Sequence, residues 1–276
     1  MTRPKANRCC AVHKNIPVTG ELVRLVLRWP GPPPEPGQFF MVKALRSSVF
    51  LPRAISVESF FYEKTKQKEN PVLSFLIARK GKGTEELASL KPEELIELTG
   101  PLGNSWYDFM PSSTDKPVAL VGGGAGIAPL TALAMDGFPA RKNKYFHYYA
   151  GFRSSTREEL ERLLGPAALN VIIACIAFEA KKPAAPLWGA RLCKGRVPDF
   201  LKSAAYSAVF ACGPEPMLAA VAERCGAAGV PCYVSLERRM ACGTGACLGC
   251  TVRGRGGNKR CCADGPIFPA EEIFFG

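Results

Sequence analysis

The chain has little histidine, no long apolar run and no low-complexity tract or internal repeat, and each absence narrows its chemistry. Only two histidines, His13 and His147, occur in 276 residues. Both sit in strand-like apolar contexts and read as structural, which leaves imidazole acid–base catalysis without a candidate. The longest weakly polar stretch, Val118–Met135, is broken by Gly122, Gly123, Gly124, Gly126 and Pro129. Such punctuation suits a strand–loop–helix transition better than a membrane span, so no transmembrane segment is expected. The N-terminal stretch MTRPKANRCCAVHKN lacks the apolar core of a secretory leader. Twelve cysteines therefore read as free thiols or ligands of a cytoplasmic protein, not as a disulfide framework. Acidic residues are also in deficit, 24 against 36 Lys and Arg, for a formal net charge of +12. The basic residues are spread along the chain without a nucleic-acid-binding motif, so nucleic acid is not an expected partner. Anionic cofactors and an acidic protein surface account for the charge.

An apolar fraction of 47% over this length suffices for two compact domains and a small appendage. From Ala11 to about Gly103, short strand-like bursts (21–28, 39–44, 54–59, 72–78 and 95–99) alternate with Pro- and Gly-rich turns, which predicts an antiparallel β-barrel. A single helix is expected over 85–90. Residues 106–116 read as a linker. Thereafter strands at 118–121, 145–150, 171–177 and 208–211 alternate with helices from 129, over 157–164 and over 216–227, the signature of a doubly wound parallel sheet. From Tyr233 onward a small Gly/Cys-rich module follows. The expected domains are 1–112, 113–232 and 233–276.

Cys242, Cys247 and Cys250 are spaced Cys-x4-Cys-x2-Cys, and Cys262 completes the set. Eleven residues lie between Cys250 and Cys262, and the whole is the plant-type ligand spacing of a [2Fe–2S] cluster. Gly243, Gly245, Ala246 and Gly249 let the backbone wrap an inorganic core and aim N–H groups at its sulfurs. Structural zinc is the alternative, but zinc sites favour paired Cys-x2-Cys knuckles. Cys261, beside Cys262, leaves the fourth ligand open, because adjacent residues of an extended segment face opposite sides. The remaining thiols, at 9, 10, 175, 193, 212, 225 and 232, read mostly as packing residues.

Two further turns carry nucleotide chemistry. In VALVGGGAGIAPL (118–130), a strand runs into Gly122, Gly123, Gly124 and Gly126 before a helix opened by Pro129. Glycines let such a turn approach a pyrophosphate, which the helix N-terminus stabilises. Ile127 stands where a Rossmann fingerprint has its last glycine, so that pattern is incomplete. Ala211-Cys212-Gly213-Pro214-Glu215-Pro216-Met217 repeats the strand-to-helix arrangement, and the two turns can share one dinucleotide crevice, with Cys212 near the nicotinamide. In the barrel, Arg53-Ala54-Ile55-Ser56 offers a cation and a hydroxyl for a flavin phosphate. Gly83 and Thr84 open the barrel's helix, with Thr84 as its cap.

Together and in this order, the Arg-x-x-Ser motif, the glycine turn ending in Pro129 and Cys212-Gly213-Pro214-x-Pro-Met217 resemble the ferredoxin–NADP⁺ reductase superfamily. Within it, 100–104 (GPLGN), 234–243 (VSLERRMACG) and 262–268 (CADGPIF) are similar to the electron-transfer subunits of class 1B dihydroorotate dehydrogenases. The resemblance covers about 20–268. It implies FAD in the barrel, held by Arg53–Ser56, Leu76, Ile77, Ala78, Gly83 and Thr84, and NAD at Gly122–Ile127 and Cys212–Met217. It also selects Cys262, which precedes x-Asp-Gly-Pro, over Cys261 as the fourth ligand. Electrons would then pass from a partner FMN subunit that oxidises dihydroorotate, through the cluster and FAD, to NAD⁺, in a heterotetramer of two subunits of each kind. Related small subunits of sulfide dehydrogenase or NADH:ferredoxin transhydrogenase type share the domain order. The transhydrogenase type replaces one cluster cysteine with aspartate, whereas this chain keeps all four.

Overall fold

The computed structural model describes residues 6–64, 69–112, 115–135, 145–181 and 187–275. Six strands, β1 (Ala6–Pro17), β2 (Leu22–Arg28), β3 (Phe39–Ala44), β4 (Arg53–Lys64), β5 (Glu69–Ala78) and β6 (Leu95–Leu102), close an antiparallel barrel in the order β1-β2-β5-β4-β3-β6. Its core is aromatic at one end, where Trp29, Phe40 and Phe75 meet edge to face at centroid distances of 5.0 and 5.7 Å. Such contacts add to the hydrophobic gain of burying three large rings.

β1 is absent from the sequence expectation. Its stretch looks too polar for a strand, yet Cys10 and Val12 point inward while Cys9 is exposed, so one apolar residue in two is enough once β2 and β6 flank it. The barrel's helix α1 spans Lys82–Ala88, beginning three residues earlier than expected, and Gly81 is its N-cap. Thr84 acts from inside the first turn instead: its hydroxyl accepts from the N–H groups of Lys80 (3.0 Å) and Gly81 (3.1 Å) and donates to the Gly81 carbonyl (2.9 Å). The expected turn between β4 and β5 is the tip of a long hairpin, paired as far out as Lys64 and Glu69; residues 65–68 lie outside the described residues.

The second half is a seven-stranded sheet. It contains β7 (Val118–Gly123), α2 (Ile127–Met135), β8 (Phe146–Phe152), α3 (Arg157–Ala168), β9 (Ile172–Phe178), β10 (Arg191–Lys194), β11 (Ala208–Cys212), α4 (Glu215–Ala227) and β12 (Cys232–Ser235). The strand order is β10-β9-β8-β7-β11-β12, all parallel, and the chain order reverses between β7 and β11. In an open α/β sheet that switch point is where a crevice forms at the carboxyl ends of the strands. α3 starts at a capping box in which Thr156 Oγ1 accepts from Glu159 N–H and Glu159 accepts from Thr156 N–H.

After β12 come the hairpin β13 (Thr251–Gly254) and β14 (Gly257–Arg260), then β15 (Ile267–Pro269), which pairs antiparallel with β12 on the sheet edge. The C-terminal module is thus sewn into the sheet. Asn104, just past β6, pins β15 to the barrel: its side-chain amide donates to the Ile267 carbonyl (2.8 Å) and accepts from the Ile267 N–H (3.0 Å).

Residues 106–116 are not a plain linker. Trp106–Phe109 forms a 3₁₀ turn capped by Ser105, and Trp106 is fully buried; residues 113–114 lie outside the described residues. The indole stacks on Phe210 of β11 (4.9 Å, 15°) and donates to the Pro129 carbonyl of α2 (3.2 Å), while its backbone N–H reaches Pro36 in the barrel (2.9 Å). A large apolar surface with one polar handle holds the two halves together. On the far side, Arg24 makes a two-pronged bond to the buried Glu58 (both 2.7 Å) and donates to the Arg162 carbonyl of α3 (2.9 Å). Bound through Nε and Nη2, this charge pair fixes orientation where an unpaired charge would be costly.

Candidate functional site

Between barrel and sheet lies a cavity of about 740 Å³. The barrel contributes Arg53, Ala54, Ile55, Ser56, Leu76, Ala78 and Thr84; the sheet contributes Ala125, Gly126, Ala128, Pro129 and Cys212; and the segment after β12 contributes Ser235–Met240. The volume falls within the usual range of cofactor pockets, and the lining mixes apolar surface with a few cations, as flavin binding requires.

Arg53 is held from two directions. Its Nη1 donates to the carbonyls of Leu51 (3.1 Å) and Pro52 (3.4 Å), and its guanidinium lies across Gly83, where a Cβ would come within 2.7 Å of Nε. Gly83 therefore does not line the cavity; it leaves room for Arg53 to do so. Arg53→Ala is expected to weaken FAD binding roughly tenfold or more, the equivalent of about 1.5–3 kcal/mol for a charge-assisted contact. Fluorescence titration of the apoprotein measures this directly, and an unchanged FAD affinity removes Arg53 from the site.

Ile77, expected among the flavin contacts, faces the other way. Its neighbours Leu76 and Ala78 reach the cavity, but Ile77 is fully buried in the barrel core with Leu27, Phe75 and Leu98, because successive side chains of a strand alternate faces. The sequence reading also passed over Lys80, Lys82, Glu237, Arg238 and Arg239, all of which line the cavity. Lys80 lies 3.9 Å from Glu237, and Arg238 lies 3.0 Å from Glu215 at the start of α4. The run RKGKG at 79–83 was the available signal for Lys80 and Lys82.

The two glycine-containing turns meet beside the cavity. Cys212 pairs with Gly122 in the sheet, and a Cβ on Gly126 would sit 2.4 Å from the Cys212 carbonyl oxygen, a contact only glycine permits. Gly123 packs against Met217 and Pro214, and Gly213 against Met217 and the Gly123 backbone. Gly122, Gly123, Gly124, Ile127, Gly213, Pro214 and Met217 are absent from the cavity lining and form the two strand-to-helix turns beside it. Gly124, at φ +54, has open space over its α-carbon, and α2 begins three residues later with Pro129 in its first turn. This arrangement suits an anionic group at a helix N-terminus. Burial holds the Cys212 thiol well above its ordinary pKa, so it is a neutral, shape-defining wall and no base.

The four spaced cysteines share one loop system at the other end of the cavity. Cys242 Sγ accepts from the N–H groups of Thr244 (3.4 Å) and Cys247 (3.5 Å), Cys262 Sγ from Gly245 (3.1 Å), and Cys250 Sγ from Cys262 (3.4 Å). The Cys247 and Thr244 amides lower the Cys242 pKa to about 5, so its thiolate is favoured at neutral pH. Backbone N–H groups aimed at thiolate sulfur are the environment an iron–sulfur cluster requires. A zinc ion would instead need all four sulfurs to converge within about 2.3 Å of one point. Cys261 turns away: fully buried, it donates to the Leu236 carbonyl (3.2 Å); burial raises the pKa of both Cys261 and Cys262 to about 12, so it is side-chain direction that separates the two.

Barrel, parallel sheet and cysteine module define a flavin- and nicotinamide-linked reductase with an iron–sulfur appendage. Residues 237–274 match the iron–sulfur cluster binding domain of dihydroorotate dehydrogenase B. The chain is 35% identical over 264 residues to the dihydroorotate dehydrogenase B (NAD(+)) electron transfer subunit of Clostridium acetobutylicum, covering 95% of each chain. It is 34% identical to that of Caldanaerobacter subterraneus subsp. tengcongensis, covering 96% of this chain and 97% of the other. Among solved structures, an NADH-dependent reduced ferredoxin-NADP oxidoreductase superposes with a TM-score of 0.76 at 25% identity, over 96% of this chain and 90% of that one. The ferredoxin NADP⁺ reductase of Neisseria gonorrhoeae shares the fold, with a TM-score of 0.58 at 16% identity over 85% and 95% of the two chains. The chain belongs to the family of dihydroorotate dehydrogenase B (NAD(+)) electron transfer subunits.

Proposed function

We propose that this chain carries electrons from a partner flavoprotein that oxidises dihydroorotate, by way of a [2Fe–2S] cluster and FAD, to NAD⁺ in pyrimidine biosynthesis. One observation carries the reading: Met240 lines the cavity between the domains, and only Ala241 separates it from Cys242. The cluster loop, the flavin cavity and the nucleotide turns therefore form one continuous run. FAD supplies the exchange of two electrons with nicotinamide and of single electrons with a cluster. The chain's own residues do the rest. Arg53, Ser56 and Thr84 hold the flavin, Gly122–Gly126 and Cys212–Met217 shape the nicotinamide crevice, and Cys242, Cys247, Cys250 and Cys262 hold the iron.

The division of labour follows 1–112 for FAD, 113–232 for NAD and 233–276 for the cluster. Thr244, Ala246, Cys247, Leu248 and Gly249 are exposed, with Leu248 61% accessible, and form the edge through which a partner FMN subunit exchanges electrons in a heterotetramer of two of each. No cysteine is paired in a disulfide, and among the described residues no helix is long and apolar enough to cross a membrane; a cytoplasmic location fits this reading. The resemblance in fold to the ferredoxin-linked enzyme leaves a transhydrogenase-type subunit as the second reading; the four retained cysteines favour the first.

Stopped-flow mixing tests the proposal. NADH is expected to bleach the flavin of the isolated chain, whereas dihydroorotate bleaches it only once the partner is added. Reduction by dihydroorotate without a partner, or none with it, overturns the reading.

A further inference from the structure

The turn that carries Cys262 is closed by a charge pair whose cation lies against the cluster loop. Arg260 donates through Nε (3.1 Å) and Nη2 (2.8 Å) to the Asp264 carboxylate, which also accepts from the Arg260 N–H (2.7 Å). The Arg260 carbonyl in turn accepts from the N–H groups of Ala263 (3.1 Å) and Asp264 (2.8 Å), so residues 260–264 form a clasp with Cys262 at its centre. The remaining prong points inward. A Cβ on Gly245, at φ +87, would stand 3.1 Å from Arg260 Nη1, and Gly245 is the residue whose N–H reaches Cys262 Sγ. The guanidinium therefore sits over the loop whose Gly245 N–H reaches Cys262 Sγ.

We infer that the Arg260–Asp264 pair is a positioning element for the [2Fe–2S] cluster that also sets its reduction potential. The inference rests on the function proposed above. Reduction adds one negative charge to the cluster, so a neighbouring cation favours the reduced form and a neighbouring anion the oxidised form. Each member of the pair offsets the other. Loss of Arg260 leaves the Asp264 carboxylate uncompensated and makes the cluster harder to reduce; loss of the Asp264 charge does the reverse. Arg260 and Asp264 are 43% and 34% exposed, so salt screens part of the effect.

The test uses the full-length chain with cluster and FAD loaded, and reads iron per chain together with the cluster midpoint potential from an EPR-monitored redox titration. Arg260→Gln is expected to shift the cluster equilibrium about tenfold towards the oxidised form, equal to about 59 mV for one electron. Asp264→Asn is expected to shift it in the opposite direction, the double variant to fall between the two, and the FAD potential to stay in place. Raising the salt concentration should shrink both shifts. A clasp that only holds the turn would instead lower iron content in both variants without opposite shifts, and that result overturns the electrostatic role. If Arg260→Gln loses its iron, Asp264→Asn alone decides: an unchanged or lowered potential overturns the inference. A wild-type chain that binds no iron overturns the function reading as well. Wild-type iron with identical potentials in all variants overturns this inference alone.

Discussion

Cys262→Ser is expected to abolish cluster binding, while Cys261→Ser leaves iron and acid-labile sulfide per chain at the wild-type level. The two residues are neighbours in sequence, yet their side chains have opposite surroundings. Cys262 Sγ receives the Gly245 N–H at 3.1 Å, and its own backbone N–H reaches Cys250 Sγ, so it belongs to the hydrogen-bond network of the cysteine loop. Cys261 is packed against the sheet edge with its thiol on the Leu236 carbonyl, a hydrogen bond that a serine hydroxyl can keep. Ligand loss also removes binding energy that would otherwise stabilise the fold of the module, so Cys262→Ser should increase proteolysis around residues 237–274 as well. Iron analysis and limited proteolysis of the two variants provide the check. Iron retained in Cys262→Ser and lost in Cys261→Ser reverses the ligand assignment.

Trp106→Ala is expected to cost about 3–5 kcal/mol of stability, the range for emptying a buried aromatic site. The larger consequence is functional, because the indole touches both domains and the carbonyl of Pro129 in the helix that follows the glycine turn. Without it the flavin cavity and the nicotinamide crevice lose their fixed separation, and hydride transfer between NADH and flavin should slow even in protein that remains folded. Trp106→Phe keeps an aromatic ring beside Phe210 but loses the N–H and part of the indole volume, so it is expected to cost less than the Ala variant, about 1–3 kcal/mol. Urea unfolding gives the stability of each variant, and stopped-flow reduction by NADH gives the rate. An Ala variant as stable and as fast as wild type removes the wedge role.

The parts that were legible in the sequence are those whose chemistry demands a fixed local pattern. Four cysteines at ligand spacing, a glycine turn between a strand and a helix, and alternating strand and helix periods each state a requirement between residues close in sequence. Local pattern is silent where the requirement is met from far away. β1 reads as polar because its pairing with β2 and β6, and not its hydrophobicity, makes it a strand. The stretch from Trp106 onward reads as a linker because the surfaces that bury Trp106, at Pro36, Pro129 and Phe210, lie between 23 and 104 residues away. Ile77 was grouped with Leu76 and Ala78 because a motif names consecutive residues, whereas a strand presents only alternate ones to one face.

By itself the sequence determined the kinds of residue present and their order along the chain: a barrel with a cation and a hydroxyl proposed for flavin, a parallel sheet with two glycine-containing turns proposed for the nucleotide, and four thiols at cluster spacing. The tertiary structure alone decided how they are joined. β15 leaves the cysteine module to pair with β12, Asn104 of the barrel grips β15 through both atoms of its amide, and residues 235–240 run along the flavin cavity into Cys242. The physical reason is that ligand spacing and periodicity record interactions between near neighbours, whereas the juxtaposition of cluster, flavin cavity and nicotinamide crevice arises from surfaces that must be buried together and backbone groups that must be paired across the whole chain.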